Sequence, residues 1–280
     1  VAISFNDTLS SRPQNVTLVV DALNLAFRWK HQGRTDFRFD YQKTVESLAQ
    51  SYGCKRVIIT ADWGSSSYRK EIHPEYKQNR KDKFAEQTEE ERIAFEEFFE
   101  EFQASLDLLA EEGYTVLRYK GVEADDIAAH LVKHKNEYGL ENIWLVSSDR
   151  DWDLLIQETV SRFSYVTRKE VTLDNWHEHY DVPIEQYISL KCLTGDKGDN
   201  VPGVPGIGPK RAQQLIEEYG DAMSLYDVLP LTSKYKYIQA LNEHAEQILQ
   251  NYELMDLITY CDDAIGTDNL EDIRTKLNEN

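Results

Sequence analysis

The chain has 280 residues, 41% of them hydrophobic, and a formal charge of −19. That length and apolar content support one large or two unequal globular units and exclude a disordered chain. No apolar run approaches the roughly 20 residues that span a bilayer, and the polar stretch Val1–Asn15 lacks the basic start and apolar middle of a signal peptide.

Short apolar runs along the chain end in acids. Val16–Val20 stops at Asp21 and Val57–Ala61 stops at Asp62. Val116–Tyr119 leads into Gly121-Val122-Glu123-Ala124-Asp125-Asp126, and Ile143–Ser147 leads into Ser148-Asp149-Arg150-Asp151. Strands are predicted at 16–21, 56–62, 114–119 and 142–147, with weaker ones near 160–166 and 170–173. Helices are predicted at 40–52, 88–112, 124–136 and 151–157. This alternation predicts an α/β fold with a mainly parallel central sheet flanked by helices. Thr88-Glu89-Glu90-Glu91 reads as a capping box, and Phe95, Phe98, Phe99, Phe102, Leu106 and Leu109 follow at helical spacing. Those apolar residues are expected in the core, with the acids beside them on a solvated face. After residue 182 the strand signal stops. Pro183–Leu193, Lys210–Tyr219, Ala222–Leu229 and Ser233–Met255 predict helices, and the polar tail from Gly266 is expected to fray.

In an open α/β sheet, ligands gather outside the carboxyl ends of the strands. Any one Asp after a strand reads simply as the N-cap of the next helix. Capping does not account for Glu123, Asp125 and Asp126 together, nor for the further pair in Thr194-Gly195-Asp196-Lys197-Gly198-Asp199-Asn200. Carboxylates brought together repel unless cations lie between them, and Mg²⁺ prefers carboxylate oxygen and water. The pattern therefore predicts a site for divalent cations.

Two basic elements accompany the acids. Gly203-Val204-Pro205-Gly206-Ile207-Gly208-Pro209-Lys210-Arg211 reads as a tight hairpin between helices. Its glycines permit positive φ, Pro209 suits the first helical position, and helix-start N–H groups beside Lys210 and Arg211 can grip phosphate without reading sequence. The second element runs over 69–83, where Arg69, Lys70, Lys77, Arg80, Lys81 and Lys83 outnumber Glu71, Glu75 and Asp82, with Tyr76 and Phe84 interleaved. Bases plus aromatics suit single-stranded nucleic acid, and a mobile solvated loop is the alternative. The overall acidity does not oppose this. Eleven acids in Glu86–Glu112 face one base, Arg92, and the nine clustered acids hold the rest of the net charge.

Val20-Asp21-Ala22-Leu23-Asn24, Glu75-Tyr76-Lys77-Gln78-Asn79-Arg80, Gly121–Asp126, Ser148–Asp153, Gly195–Asn200 and Gly203–Arg211 together resemble the structure-specific 5′-nuclease, or flap endonuclease, family over nearly the whole chain. The sequence is similar to the free-standing 5′–3′ exonucleases of bacteriophages and to the N-terminal nuclease domain of bacterial DNA polymerase I. The resemblance implies an α/β nuclease core over 1–182, including a helical arch at about 74–100. It implies a helical region over 183–280 with a helix-hairpin-helix at about 185–219. It implies Mg²⁺-dependent cleavage of DNA near single-strand/duplex junctions, with Mn²⁺ as a substitute, leaving 5′-phosphate and 3′-hydroxyl ends. Asp21, Asp62, Glu123, Asp125, Asp126, Asp149 and Asp151 match one metal cluster, and Asp196 and Asp199 match a second. Lys77 and Arg80 match basic residues of the arch that act at the scissile phosphate. Tyr76, Lys81, Lys83, Gly206, Gly208, Lys210 and Arg211 fall in the DNA-binding segments, with K⁺ at the hairpin. The implied partners are branched or 5′-flap DNA and RNA–DNA primers, for a monomer without membrane attachment. Arg150, where the family often has a small residue, and Asp153 depart from the pattern. A metal-dependent ribonuclease of the PIN type is the alternative reading. Three scattered cysteines, Cys54, Cys192 and Cys261, imply neither a disulfide framework nor a zinc site and suit a reducing cytoplasm.

Overall fold

The apolar runs become strands because each can bury both faces between layers of helices. In the computed structural model, which describes residues 15–278, β1 (Val16–Asp21) is buried at all six positions. The expectation for the first fourteen residues lies outside the described part. α1 (Ala22–Lys30) and α2 (Arg38–Tyr52) lead to β2 (Cys54–Ala61), then α3 (Ser67–Ile72), α4 (Gln78–Ala85) and the long α5 (Glu89–Glu111). β3 (Thr115–Arg118), α6 (Ala124–Lys133), β4 (Asn142–Val146), a 3-10 turn (Arg150–Leu155), β5 (Val160–Ser164) and β6 (Lys169–Val171) complete the sheet layer.

The strand order is β3-β2-β1-β4-β5-β6, parallel except for the antiparallel β6. β1 therefore lies between β2 and β4, and the connections that follow β1 and β4 pack on opposite faces of the sheet, which opens a crevice at their carboxyl ends. Alternate β1 side chains serve two cores. Leu18 and Val20 pack with α1, α2 and α5, whereas Val19 packs with α6 and the C-terminal helices.

Beyond the sheet come α7 (Ile184–Thr194), the short hairpin β7 (Gly195–Asp196) and β8 (Val201–Pro202), α8 (Pro209–Tyr219), α9 (Ala222–Asp227), α10 (Lys236–Glu243), α11 (Ala245–Met255), α12 (Leu257–Ile265) and α13 (Thr267–Asn278). No described helix is long and apolar enough to cross a membrane.

Four expectations need correction. The single helix predicted over Ser233–Met255 breaks at His244 into α10 and α11. The segment 151–157 forms a 3-10 turn rather than an α-helix. The tail described from Gly266 to Asn278 forms a helix rather than fraying. Ile273 and Leu277 bury their side chains, Tyr119 donates to Asp272 at 2.7 Å, and Arg56 donates to the Leu277 carbonyl at 2.6 Å. A sparse apolar stripe within a polar segment suffices when a sheet face receives it. Glu101, expected on a solvated face, is buried because its carboxylate caps the start of α2, accepting from the Phe37 and Arg38 N–H groups at 3.0 and 2.8 Å and pairing with the Arg38 guanidinium.

Candidate active site

The strand ends deliver their acids to one basin. Asp21 ends β1 and caps α1, accepting from the Asn24 N–H at 3.2 Å. The capping and functional readings therefore coexist. Its other oxygen accepts from the Ser147 hydroxyl, 2.6 Å away at the end of β4. Asp62 follows β2 and accepts from the Ala124 N–H at 2.9 Å, which joins the β2 end to the start of α6. Gly121 makes that approach possible. It sits at φ 74°, and an added Cβ would lie 2.2 Å from the Ser67 hydroxyl. Asp125 accepts from the Trp152 indole N–H at 2.6 Å, and Asp149 accepts from the Asp151 N–H at 2.9 Å.

Cations of the chain itself thread between these acids. Lys77 donates from Nζ to Glu123 at 2.7 Å and lies 3.7 Å from Asp199. Its backbone is in the left-handed region at φ 56°, pinned by N–H donation to the Asp199 carbonyl at 2.9 Å. Arg80 pairs with Asp199 at 2.5 Å while remaining largely exposed. The ammonium of Lys191, on α7, lies 2.7 Å from Asp151 and 3.3 Å from Asp196, bridging the acids of the sheet to those of the β7–β8 hairpin.

The electrostatics divide the acids into two sets. Burial, reinforced by Asp62, pushes Asp21 up to about 8. Desolvation by the surrounding wall and the charge of Asp151 push Asp149 up to about 6. Burial also raises Asp62, Asp125 and Asp199. Burial acts on Glu123 too, but Lys77 and Arg69 outweigh it and hold that carboxyl below its ordinary range. Lys191 does the same for Asp196. Within the first set Asp199 has Lys77 and Arg80 beside it, but Asp21, Asp62, Asp125 and Asp149 form no ion pair with a cation among the described residues, and hard oxygen donors in that condition fit divalent cations such as Mg²⁺.

Two site expectations change. Asp126, expected among the metal ligands, has both oxygens engaged by Arg69 at 2.7 Å each, and both side chains are buried. Tyr76, expected to offer a face to a nucleic-acid base, is buried beside Val201, Leu254 and Met255. Its hydroxyl is 3.0 Å from both Glu123 and Asp199, so it braces two acids instead.

A cavity of about 790 Å³ lies against the basin, with Asp62, Glu123 and Lys77 on its lining. Arg80, Lys81, Lys83 and Phe84 of α4 and Phe95 and Phe99 of α5 line it as well. The phenylalanine stripe thus splits: Phe98 and Phe102 are buried in the core, while Phe95 and Phe99 border the cavity.

At the far motif, Ile207 is buried and anchors the turn between α7 and α8. Gly206 alone of the two flanking glycines takes positive φ, 78°. Gly208 is the extended N-cap of α8. Lys210 is exposed. Arg211 folds back, donating to the Gly206 carbonyl at 2.6 Å and lying 4.6 Å from the Tyr237 ring centroid.

Sequence reasoning missed Lys191, Ser147, Trp152 and the buried role of Arg69. Arg69 was counted as one more surface base of the 69–83 run. A signal for Lys191 was present, since it stands one helical turn after Tyr187, on a predicted helix that ends at the Gly195-Asp196 motif.

Comparison with known proteins agrees with this geometry. The N-terminal resolvase-like domain of 5′-3′ exonuclease matches residues 16–181, and the 5′-3′ exonuclease C-terminal SAM fold matches 182–278. The flap endonuclease of Escherichia phage T5 is 45% identical over 251 residues, covering 89% of this chain and 86% of that protein. DNA polymerase I of Rhizobium leguminosarum is 33% identical over 171 residues, which span 61% of this chain and 16% of the polymerase. A crystal structure of the phage T5 flap endonuclease in a pseudo-enzyme–product complex with DNA and metal ions superposes with a TM-score of 0.89 at 42% identity, covering 95% of this chain and 98% of the other. The chain belongs to the 5′-3′ exonuclease family.

Proposed function

We propose that this 5′-3′ exonuclease-family enzyme, a DNA-cleaving hydrolase, cuts branched or 5′-flap DNA near the single-strand/duplex junction, leaving 5′-phosphate and 3′-hydroxyl ends, with Mg²⁺ ions held in the acid basin. The observation that carries the reading is the cluster of Asp21, Asp62, Glu123, Asp125, Asp149 and Asp151 at the carboxyl edge of the sheet, with Asp196 and Asp199 opposite and Lys77 between them. Divalent ions, if held by these acids, would supply an activated water and charge stabilisation for in-line displacement at phosphorus. Asp21, Asp125 and Asp149, raised by burial and crowding, are the strongest candidates to hold them. Mn²⁺ is expected to substitute, having the same taste for oxygen donors.

The remaining chemistry belongs to the chain. Lys77 and Arg80 offset charge on the phosphoryl oxygens, for which Lys77 exchanges its bond with Glu123 for one to the scissile phosphate. Lys191 and Arg69 hold acids in place: Lys191 ties Asp151 to Asp196, and Arg69 fixes Asp126 at the start of α6. The 790 Å³ cavity accommodates the 5′ single strand, with Lys81 and Lys83 against phosphates and Phe84 and Phe95 offering ring faces in place of Tyr76. The α7–α8 hairpin grips duplex backbone through Lys210 and the N–H groups at the start of α8. K⁺ at that hairpin would have to share the Gly206 carbonyl with Arg211. Action as a monomer in replication and repair, on RNA–DNA primers as well as flaps, follows from the same reading.

The test is a 5′-labelled DNA flap incubated with Mg²⁺ or with chelator. Cleavage at the junction in Mg²⁺ alone is expected. Equal or faster cleavage of a matched RNA strand would favour the PIN-type ribonuclease reading instead.

A further inference from the structure

A second cluster of metal-ligating side chains lies away from the acid basin, where the C-terminal end of α6 packs on α12. His130 and His134 stand four residues apart on one helical face, so both imidazoles project toward the same neighbour. That neighbour is Asp262 of α12, with Oδ1 2.6 Å from His130 Nδ1 and Oδ2 3.1 Å from His134 Nε2. One donor atom from each of the three residues lies within 4.8 Å of the other two. Ligands bound at about 2.0–2.1 Å in a tetrahedral site stand roughly 3.4 Å apart, so the donor atoms must close up by as much as about 1.4 Å, a shift that rotations of the three side chains can supply.

The outer nitrogens are held as a metal-binding histidine requires. His134 Nδ1 lies 3.1 Å from Glu137, and His130 Nε2 lies 2.8 Å from the Tyr138 hydroxyl. A ligating histidine ordinarily gives its second N–H to such an acceptor, which fixes the tautomer and aims the free lone pair. Burial favours the neutral form of His130, the form that ligates, whereas at His134 burial is outweighed by the hydrogen bonds to Glu137 and Asp262, which favour the charged form, so an ion binding there displaces a proton. Lys133 also faces Asp262, at 2.9 Å, and touches the Thr259 carbonyl at 3.3 Å. It is about a third exposed and can turn to solvent when an ion takes its place.

We propose that His130, His134 and Asp262 form a site for a late first-row divalent ion such as Zn²⁺, separate from the oxygen-only basin. Two imidazoles and one carboxylate leave a fourth position for water, and imidazole selects Zn²⁺ over Mg²⁺. Its place in the fold gives it a structural consequence. The ion would fasten the end of α6 to α12, and the other end of the same helix carries Asp125 and Asp126, roughly 6–14 Å away along the helix axis.

The test uses the full chain, stripped with chelator and returned to saturating Mg²⁺ so that the oxygen-rich basin is occupied. Co²⁺ is titrated and its visible absorption read. One Co²⁺ per chain with the intense absorption of a four-coordinate nitrogen–oxygen site is expected, displaced by stoichiometric Zn²⁺. Affinity should fall at least tenfold in His134→Gln and in Asp262→Asn. In the same Mg²⁺ background Zn²⁺ should raise the wild-type Tm by about 3 °C or more and the His134→Gln Tm by much less. Only the weak absorption of a six-coordinate ion, or a signal unchanged by His134→Gln, would overturn the site. If Asp262→Asn fails to fold, His134→Gln decides alone, because its side chain is a quarter exposed at the helix end.

Discussion

The acid basin and the α7–α8 hairpin both handle charge, and they do so in opposite ways. In the basin, partners come from distant parts of the chain: Lys77 reaches Glu123, Arg69 reaches Asp126, and Lys191 reaches back to Asp151. These groups are buried or half-buried, and most are displaced from their ordinary protonation behaviour. In the hairpin the hydrogen bond is local, Arg211 to Gly206 being five residues apart, the same guanidinium rests on the Tyr237 ring, and Lys210 is exposed. Chemistry at phosphorus needs charges fixed in a low-dielectric setting, where each is worth more. Holding a duplex needs exposed donors that exchange counterions for phosphates.

Asp149→Asn and Asp151→Asn break the basin most completely. Cleavage of a labelled flap in Mg²⁺ is expected to drop to background while flap binding persists or tightens, because a like charge facing DNA is removed. Normal turnover by both variants at saturating Mg²⁺ would remove the metal assignment.

Lys77→Ala comes next, and it separates a fixed charge from a merely attractive one. Its single-turnover rate at saturating enzyme should fall by about 100-fold or more with little change in flap affinity. The exposed Lys81 and Lys83, replaced by Ala, should weaken binding at moderate salt and be rescued by excess enzyme. Equivalent behaviour of all three lysines would mean that the segment only concentrates DNA.

Arg69→Met tests the basin as structure. It leaves Asp126 buried without its partner, and breaking a buried ion pair costs about 3–5 kcal/mol. Denaturant midpoints measure this. A loss near zero would show that the pair is dispensable and return Asp126 to the candidate ligands.

Lys210→Ala should act more gently, weakening duplex binding irrespective of sequence and reducing the salt slope by about one unit. Adding Arg211→Ala should change the slope little further, since that guanidinium is already turned onto Gly206 and Tyr237. A full second unit would show that Arg211 swings out to phosphate.

The smallest expected effect is in pH. Asp21 at about 8 and Asp149 at about 6 take up protons on folding, since an unfolded Asp titrates near 4. Their contribution to stability therefore falls as pH rises from about 4 toward 8. Mg²⁺ should raise Tm more at pH 8 than at pH 5.5, read by thermal melts. An equal shift at both pH values would contradict the crowding of these acids.

Period and punctuation in the sequence were enough for the parallel sheet, the strand ends at Asp21 and Asp62, the capping box at Thr88 and the hairpin turn at Ile207. Each depends on neighbours a few residues away, and burial between two layers leaves little choice for an apolar run. The same patterning put the acids at one carboxyl edge of the sheet, because that placement is a consequence of parallel topology. It did not say which acids are already engaged. Asp126 looks like Asp125 in the chain, and Arg69 looks like Lys70. Only packing sets Arg69 between Leu254 and Asp126, faces Tyr76 toward two carboxylates and brings His130 and His134 against Asp262. A desolvated charge takes whatever partner the fold places within about 3 Å, and that choice is made by elements more than a hundred residues apart in several of these cases.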